Sequence, residues 1–183
     1  NAGLSLPTGS IDEEDDVLAP TGARPTLRLP YPMQLGSGTF DLMPGVTYKG
    51  RSGSFGWGAQ YMGTIRLGDN DEGYSLGDVH QATGWASYSW HPAVSASFRL
   101  TGRTQDSIDG IDPRIVAPVQ TADPAFQGGD RVDLGFGLNF SGQSGTMRGL
   151  RAAVEFGLPV HQDLNGPQMK ADWSLTAGVR YMF

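Results

Sequence analysis

The chain has 183 residues, a formal net charge of −6, 38 % hydrophobic residues, 27 glycines and no cysteine. That length suits one domain, residues 1–183, and the lack of cysteine excludes a disulfide framework, a thiolate metal site and a cysteine nucleophile. The acidic balance argues against nucleic acid as a partner. No run approaches the ~20 apolar residues of a membrane helix, but a membrane-crossing strand needs only about 9–11 residues, every second one free to be polar.

Taken in chain order, the segments read with period 2. Residues 3–7 carry Leu4 and Leu6. Phe40, Leu42, Val46 and Tyr48 then oppose Thr39, Asp41, Thr47 and Lys49. Phe55, Trp57, Ala59, Tyr61, Ile65 and Leu67 oppose Gly56, Gly58, Gln60, Thr64 and Arg66. A weaker apolar set follows in Ala82, Gly84, Ala86, Tyr88 and Trp90. Val94, Ala96, Phe98 and Leu100 oppose Ser95, Ser97, Arg99 and Thr101. Val132, Leu134, Phe136, Leu138 and Phe140 interleave with Asp133, Gly135, Gly137 and Asn139. Leu150, Ala152, Val154, Phe156, Leu158 and Val160 interleave with Gly149, Arg151, Ala153, Glu155 and Gly157. In the last segment Trp173, Leu175, Ala177, Val179, Tyr181 and Phe183 alternate with Ser174, Thr176, Gly178, Arg180 and Met182. Strands with one oily and one wet face read this way, and they number about eight.

The connections favour a membrane over a soluble sandwich. Short polar turns are expected at 50–54, 90–93 and 141–146, and long connections at 8–37, 68–78, 105–130 and 161–172. Such alternation is the pattern of short periplasmic turns and long external loops in outer-membrane barrels. Tyr48, Phe55, Trp57, Tyr88, Trp90, Phe140 and Tyr181 fall near the short turns, as interfacial girdles do. The ending Tyr181-Met182-Phe183 looks like the signal read by barrel-assembly machinery, with Tyr181 and Phe183 as its contacts. The expected fold is therefore all-β, a transmembrane antiparallel up-and-down β-barrel in a bacterial outer membrane, in contact with lipid and lipopolysaccharide. The first segment is short for a crossing, and an open sheet would expose edges to lipid. The chain is thus expected to be part of a larger barrel with further strands upstream. No signal-peptide pattern is visible.

Three stretches resemble a known group. They are Gly3-Leu4-Ser5-Leu6-Pro7-Thr8-Gly9-Ser10, then Met33-Gln34-Leu35-Gly36-Ser37-Gly38-Thr39-Phe40-Asp41-Leu42-Met43-Pro44-Gly45-Val46-Thr47-Tyr48, and Pro118-Val119-Gln120-Thr121-Ala122-Asp123-Pro124 followed by Gly128-Gly129. They are similar to outer-membrane barrels grouped under the name of the MetA pathway of phenol degradation, and to transporter-like relatives. The resemblance implies a longer family barrel, with this chain as its C-terminal part, and a role in moving small molecules. It supplies no substrate and no catalytic residue.

Chemistry is thin in the sequence. His80 lies near a long connection without an adjacent nucleophile, His91 sits beside Pro92 in a short turn, and His161 follows the strand residue Val160. All three read as surface or interfacial histidines, so neither an enzyme nor a cofactor is expected. The run from Asp12 to Asp16 and the group Asp69, Asp71 and Glu72 read as solvated loop charge. Oxygen-rich clusters of this kind also suit divalent cations, which leaves Asp69, Asp71 and Glu72 as weak metal candidates. Neither run has EF-hand spacing.

Charge placement says more. Of 19 acidic residues, all but Asp41, Asp133 and Glu155 fall in the long connections. The wet parity collects Lys49, Arg66, Arg99, Arg103, Arg151 and Arg180. With Asp41, Gln60, Asp133, Asn139 and Glu155 these form the expected lumen lining, a basic wall below an acidic mouth. Lumen cations bias permeation toward anions. The primary reading is a passive channel for small aromatic or anionic solutes. The rival is a structural or interaction barrel with a plugged lumen and acidic surface loops. An outer-membrane hydrolase ranks third. Arg103, Asp133 and Glu155 are expected to meet, with Glu155 opposite Asp133 and Arg103 bridging the two as a constriction or plug.

Overall fold

The computed structural model describes residues 1–18, 21–116 and 119–182. Phe183 of the terminal signal and Pro118 of the third resembling stretch lie outside the described residues. The twelve strands are β1 (Ala2–Ser5), β2 (Glu14–Asp16), β3 (Thr26–Arg28), β4 (Phe40–Ser52), β5 (Phe55–Leu67), β6 (Tyr74–Ser75), β7 (Val79–His91), β8 (Val94–Gln105), β9 (Asp109–Gly110), β10 (Gly129–Ser141), β11 (Leu150–Leu164) and β12 (Ser174–Tyr181). Among the described residues the only helical turns are short 3-10 turns, and all lie in connections.

Eight strands make one antiparallel sheet in the order β1-β4-β5-β7-β8-β10-β11-β12. Each strand pairs with the sheet strand next to it along the chain, so the topology is an up-and-down meander. The sheet does not close, and β1 and β12 are its two edges. The alternating pattern explains the elements. Leu134, Phe136 and Leu138 stand opposite Leu100, Phe98 and Ala96 on one side, and opposite Leu158, Phe156 and Val154 on the other. An out-of-register pairing would bring oily side chains onto the wet face.

Among the described residues nothing covers the oily face. Phe136 is 49 % and Leu138 55 % exposed, and Val46, Tyr48, Phe98, Leu100, Val154, Phe156, Leu175 and Val179 are exposed as well. On the wet face Gly58, Gly135 and Gly137 are buried, and Gln60, Thr83, Thr101, Asp133 and Glu155 are half-buried. This inverts the usual order of a water-soluble sheet. Glycine helps to build the wet face. A Cβ at Gly58 would lie 2.2 Å from the Trp85 ring, and one at Gly137 would lie 2.4 Å from the Ser97 hydroxyl. Absent side chains give their cross-strand neighbours room to lie flat.

Several sequence expectations need correction. The connection after β10 spans 142–149 and holds a 3-10 turn, so it is longer than 141–146. β11 runs on to Leu164, which places His161 within the strand and leaves 165–173 as the last connection. The final pair of connections is therefore nearly equal, whereas the turns 53–54 and 92–93 are tight. Gly53, at φ +55°, supplies the backbone conformation that the first turn needs. Asp130 and Asp163, expected in loops, face each other at the ends of β10 and β11.

The connections are also more ordered than loop composition implies. β2 pairs with β3, and β6 with β9. The buried apolar cluster of Tyr31, Tyr74, Ile108 and Ile115 lies among these connections, not under the sheet.

Candidate functional site

The register places every expected lining residue on the wet face. One cross-strand row runs Thr47, Gln60, Thr83, Thr101, Asp133, Pro159. The next runs Lys49, Gly58, Trp85, Arg99, Gly135, Gly157. Further rows bring Glu155 beside Gly137, Asn139 between Ser95 and Ala153, and Arg151 beside Arg180. Asp41 faces Arg66, and Arg103 faces Arg131.

Local pairing differs from the expected triad. Glu155 stands opposite Gly137, and the residue opposite Asp133 is Pro159. The 142–149 connection is longer than expected, and Glu155 meets β10 four residues away from Asp133, at Gly137. Each wet-face carboxylate has instead found its own arginine. Asp41 binds Arg66, Asp133 accepts from Arg131 Nε at 2.7 Å, and Glu155 binds Arg99. The last pair reaches diagonally across Gly135, where a Cβ would come within 3.1 Å of the Glu155 carboxyl. Arg103 donates to Gln105 Oε1 at 2.8 Å and has no carboxylate among the described residues.

Sequence reasoning missed Arg51, Arg131 and Trp85. The sequence places Arg51 in the turn at 50–54, yet β4 continues to Ser52 and carries it on the wet face. Arg131 has wet parity at the start of β10, and parity alone could have found it. Trp85 was lost in a weak alternation. Lys49, Gln60 and Trp85 line one hollow with Asn1 and Thr47.

At the short-turn end lies a larger cavity of about 660 Å³. Its lining includes Arg51 from β4 and Arg180 from β12, strands with β5, β7, β8, β10 and β11 between them. Strands sit about 4.8 Å apart in a sheet, so a flat sheet would hold β4 and β12 far apart. The wet face is therefore concave.

The long connections interlock at the opposite end. Arg28, its side chain 2 % exposed, approaches Asp112 at 3.7 Å, Glu14 at 3.6 Å and Glu72 at 3.8 Å. Arg114 binds Glu72 and stands 3.6 Å from Asp112. The Asp112 amide donates to the Tyr31 hydroxyl at 3.1 Å, and the Tyr31 and Tyr74 rings meet edge to face at 4.9 Å. Burial pushes the phenols of Tyr31 and Tyr74 above the ordinary tyrosine range, while the Ser10 hydroxyl donating to Asp12 holds that exposed carboxyl down. The acidic loops are thus partly neutralised by two arginines. Asp69, Asp71 and Glu72 form no metal-holding group among the described residues, and Glu72 is committed to Arg28 and Arg114.

The histidines are scattered. His80 Nδ1 lies 2.7 Å from the Tyr61 hydroxyl, His91 Nδ1 accepts from the Ala93 amide at 3.1 Å, and His161 sits opposite Val132. Compared with protein-family models, curated proteins and solved structures, the chain matches none.

Proposed function

We propose that this chain forms part of the wall of an outer-membrane barrel whose wet face conducts small anionic solutes. The observation that carries the reading is the sheet's burial pattern: Val46, Phe98, Phe136, Leu138 and Val179 of the oily face are exposed, while Gln60, Thr83, Thr101, Asp133 and Glu155 of the concave wet face are half-buried. Contiguous apolar patches beyond about 300–600 Å² are rare on soluble monomers. Lipid is the solvent that such a face suits. Eight wet-face cations stand against three carboxylates, all three already paired. An excess of fixed positive charge draws anions into a confined path. The resemblance to solute-moving barrels points the same way. The test is reconstitution in a planar bilayer under a salt gradient. The expected result is stepwise conductance with an anion-selective reversal potential, shifted toward cations by Arg103→Glu. A silent bilayer, with the protein shown to be inserted and folded, rejects the conduit.

The interlocked long connections favour a second reading, in which the mouth is closed and the barrel serves as a surface structure. In that case, conductance appears only when the Arg28 cluster is broken.

A further inference from the structure

We propose that the short-turn end of the wet face holds a binding site for one small oxyanion, a carboxylate or phosphate head, clasped between Arg151 and Arg180. These two residues are direct cross-strand partners in the β11–β12 ladder. Like charges placed directly opposite destabilise a sheet, yet neither arginine has an ion pair or a hydrogen bond to its side chain among the described residues. Arg51 brings a third guanidinium to the same cavity, with only a contact from its Nε to the Gly53 carbonyl.

Among the described residues no carboxylate lines this cavity. The three wet-face acids cannot serve, since each is bound to its own arginine elsewhere. The floor instead offers the hydroxyls of Ser89 and Ser95 and the amide of Asn139. Guanidinium forks match planar carboxylates and phosphates bidentately. One oxyanion between two facing forks converts a repulsive pair into four charge-assisted hydrogen bonds. At about 660 Å³ the cavity falls within the usual range for small organic ligands, about 300–1,000 Å³.

The proposal deepens the solute reading and rests on it for a water-filled wet face. It is read by equilibrium binding and not by conduction, so the two can fail separately. The same chemistry comes from a free solute or from a lipid phosphate, and the test separates them. The full chain, folded in a nonionic detergent at low ionic strength, is titrated calorimetrically with sodium benzoate, with inorganic phosphate and with phosphatidic acid in mixed micelles. Saturable one-to-one binding of at least one probe is expected. Arg151→Gln and Arg180→Gln should each weaken it about tenfold, and Arg24→Gln, which removes the same charge in a remote loop, should leave it unchanged. Benzoate or phosphate binding identifies a solute site, and binding of phosphatidic acid alone identifies a lipid site. Arg151→Glu gives Arg180 an internal partner. It should abolish binding while raising the melting temperature, an outcome that misfolding would not produce. No saturable binding of any probe overturns the proposal, as does binding that survives the folded double variant Arg151→Gln/Arg180→Gln.

Discussion

Arg28 and Asp112, far apart along the chain, are buried against each other with Nε and Oδ2 3.7 Å apart, and neither of those two atoms has a hydrogen-bond partner among the described residues. This pair joins the first long connection to the third, and Glu72 ties in the second. Removing one member of a buried pair leaves an uncompensated charge, typically at a cost of about 3–5 kcal/mol. Arg28→Met strips a cation from three carboxylates at once, whereas Asp112→Asn leaves Arg28 with Glu14 and Glu72. Arg28→Met should therefore be the more damaging. Hydrogen exchange is expected to speed up in residues 68–78 and 106–116 while β10 and β11 remain protected. Uniform loss of protection would show that the cap and sheet unfold as one unit.

Alkaline pH should loosen the same cap. The phenols of Tyr31 and Tyr74 are raised by burial above their ordinary value of 10.0. A raised folded value means that stability is full below the unfolded pKa and is lost as pH climbs through the folded one. The expected window lies above about pH 10. Tyrosine absorbance and loop hydrogen exchange should change together there, and Tyr74→Phe should blunt the response.

Gly58 lies under the Trp85 ring, and any Cβ there meets it at 2.2 Å. Gly58→Val should expel the indole from the wet face at a cost of about 1–3 kcal/mol, the usual penalty of overpacking. A changed tryptophan emission with retained β circular dichroism is the expected readout. An unchanged spectrum would place Trp85 elsewhere.

The oily face provides a test of its solvent. The Phe98 and Phe136 rings meet edge to face at 5.4 Å on exposed, adjacent strands. In lipid, Phe136→Arg should cost about 2–4 kcal/mol near the bilayer midplane and reduce folding into vesicles. In water the same change would raise solubility and leave folding intact, and that result would remove the membrane from the account.

Parity along the strands was legible because only side-chain direction matters to it. Phe136, Leu138 and Phe156 could be assigned to one face without knowing any loop. The β8–β10 register, with Arg103 opposite Arg131, was also readable. The β10–β11 register was not, because it depends on the 3-10 turn of the 142–149 connection, and composition does not fix that geometry. The site suffered accordingly. The expected lining residues share one face of the sheet, but Glu155 found Arg99 diagonally across Gly135, a contact that parity alone cannot show. Order in the long connections was hidden for another reason. Arg28, Tyr31, Tyr74 and Asp112 come from three separate connections, and their meeting leaves no local periodic trace.

The ladder between β10 and β11 shifts between Val132 and Asp133, so that Pro159 faces Asp133, His161 faces Val132, and Val160 is the extra residue. Pro159 fits beside it, because the β11–β12 ladder ends at Gly157 and no partner there requires its missing N–H. Unbroken pairing would carry His161 onto the wet side next to Arg131 and turn Gln162 outward. The bulge instead resets the phase, and Gln162 accepts from and donates to the Ala171 backbone, both at 2.9 Å, closing the last connection. The C-terminal end of β11 is therefore governed by chain length and not by residue identity. Removing Val160 would straighten the strand and keep both faces as they are. Adding one residue between Gln162 and Leu164 would leave the phase below it untouched. A length change within the paired part of β11 that is not absorbed as a bulge exchanges the two faces beyond it, so this strand should tolerate substitution at Val160 better than a moved bulge.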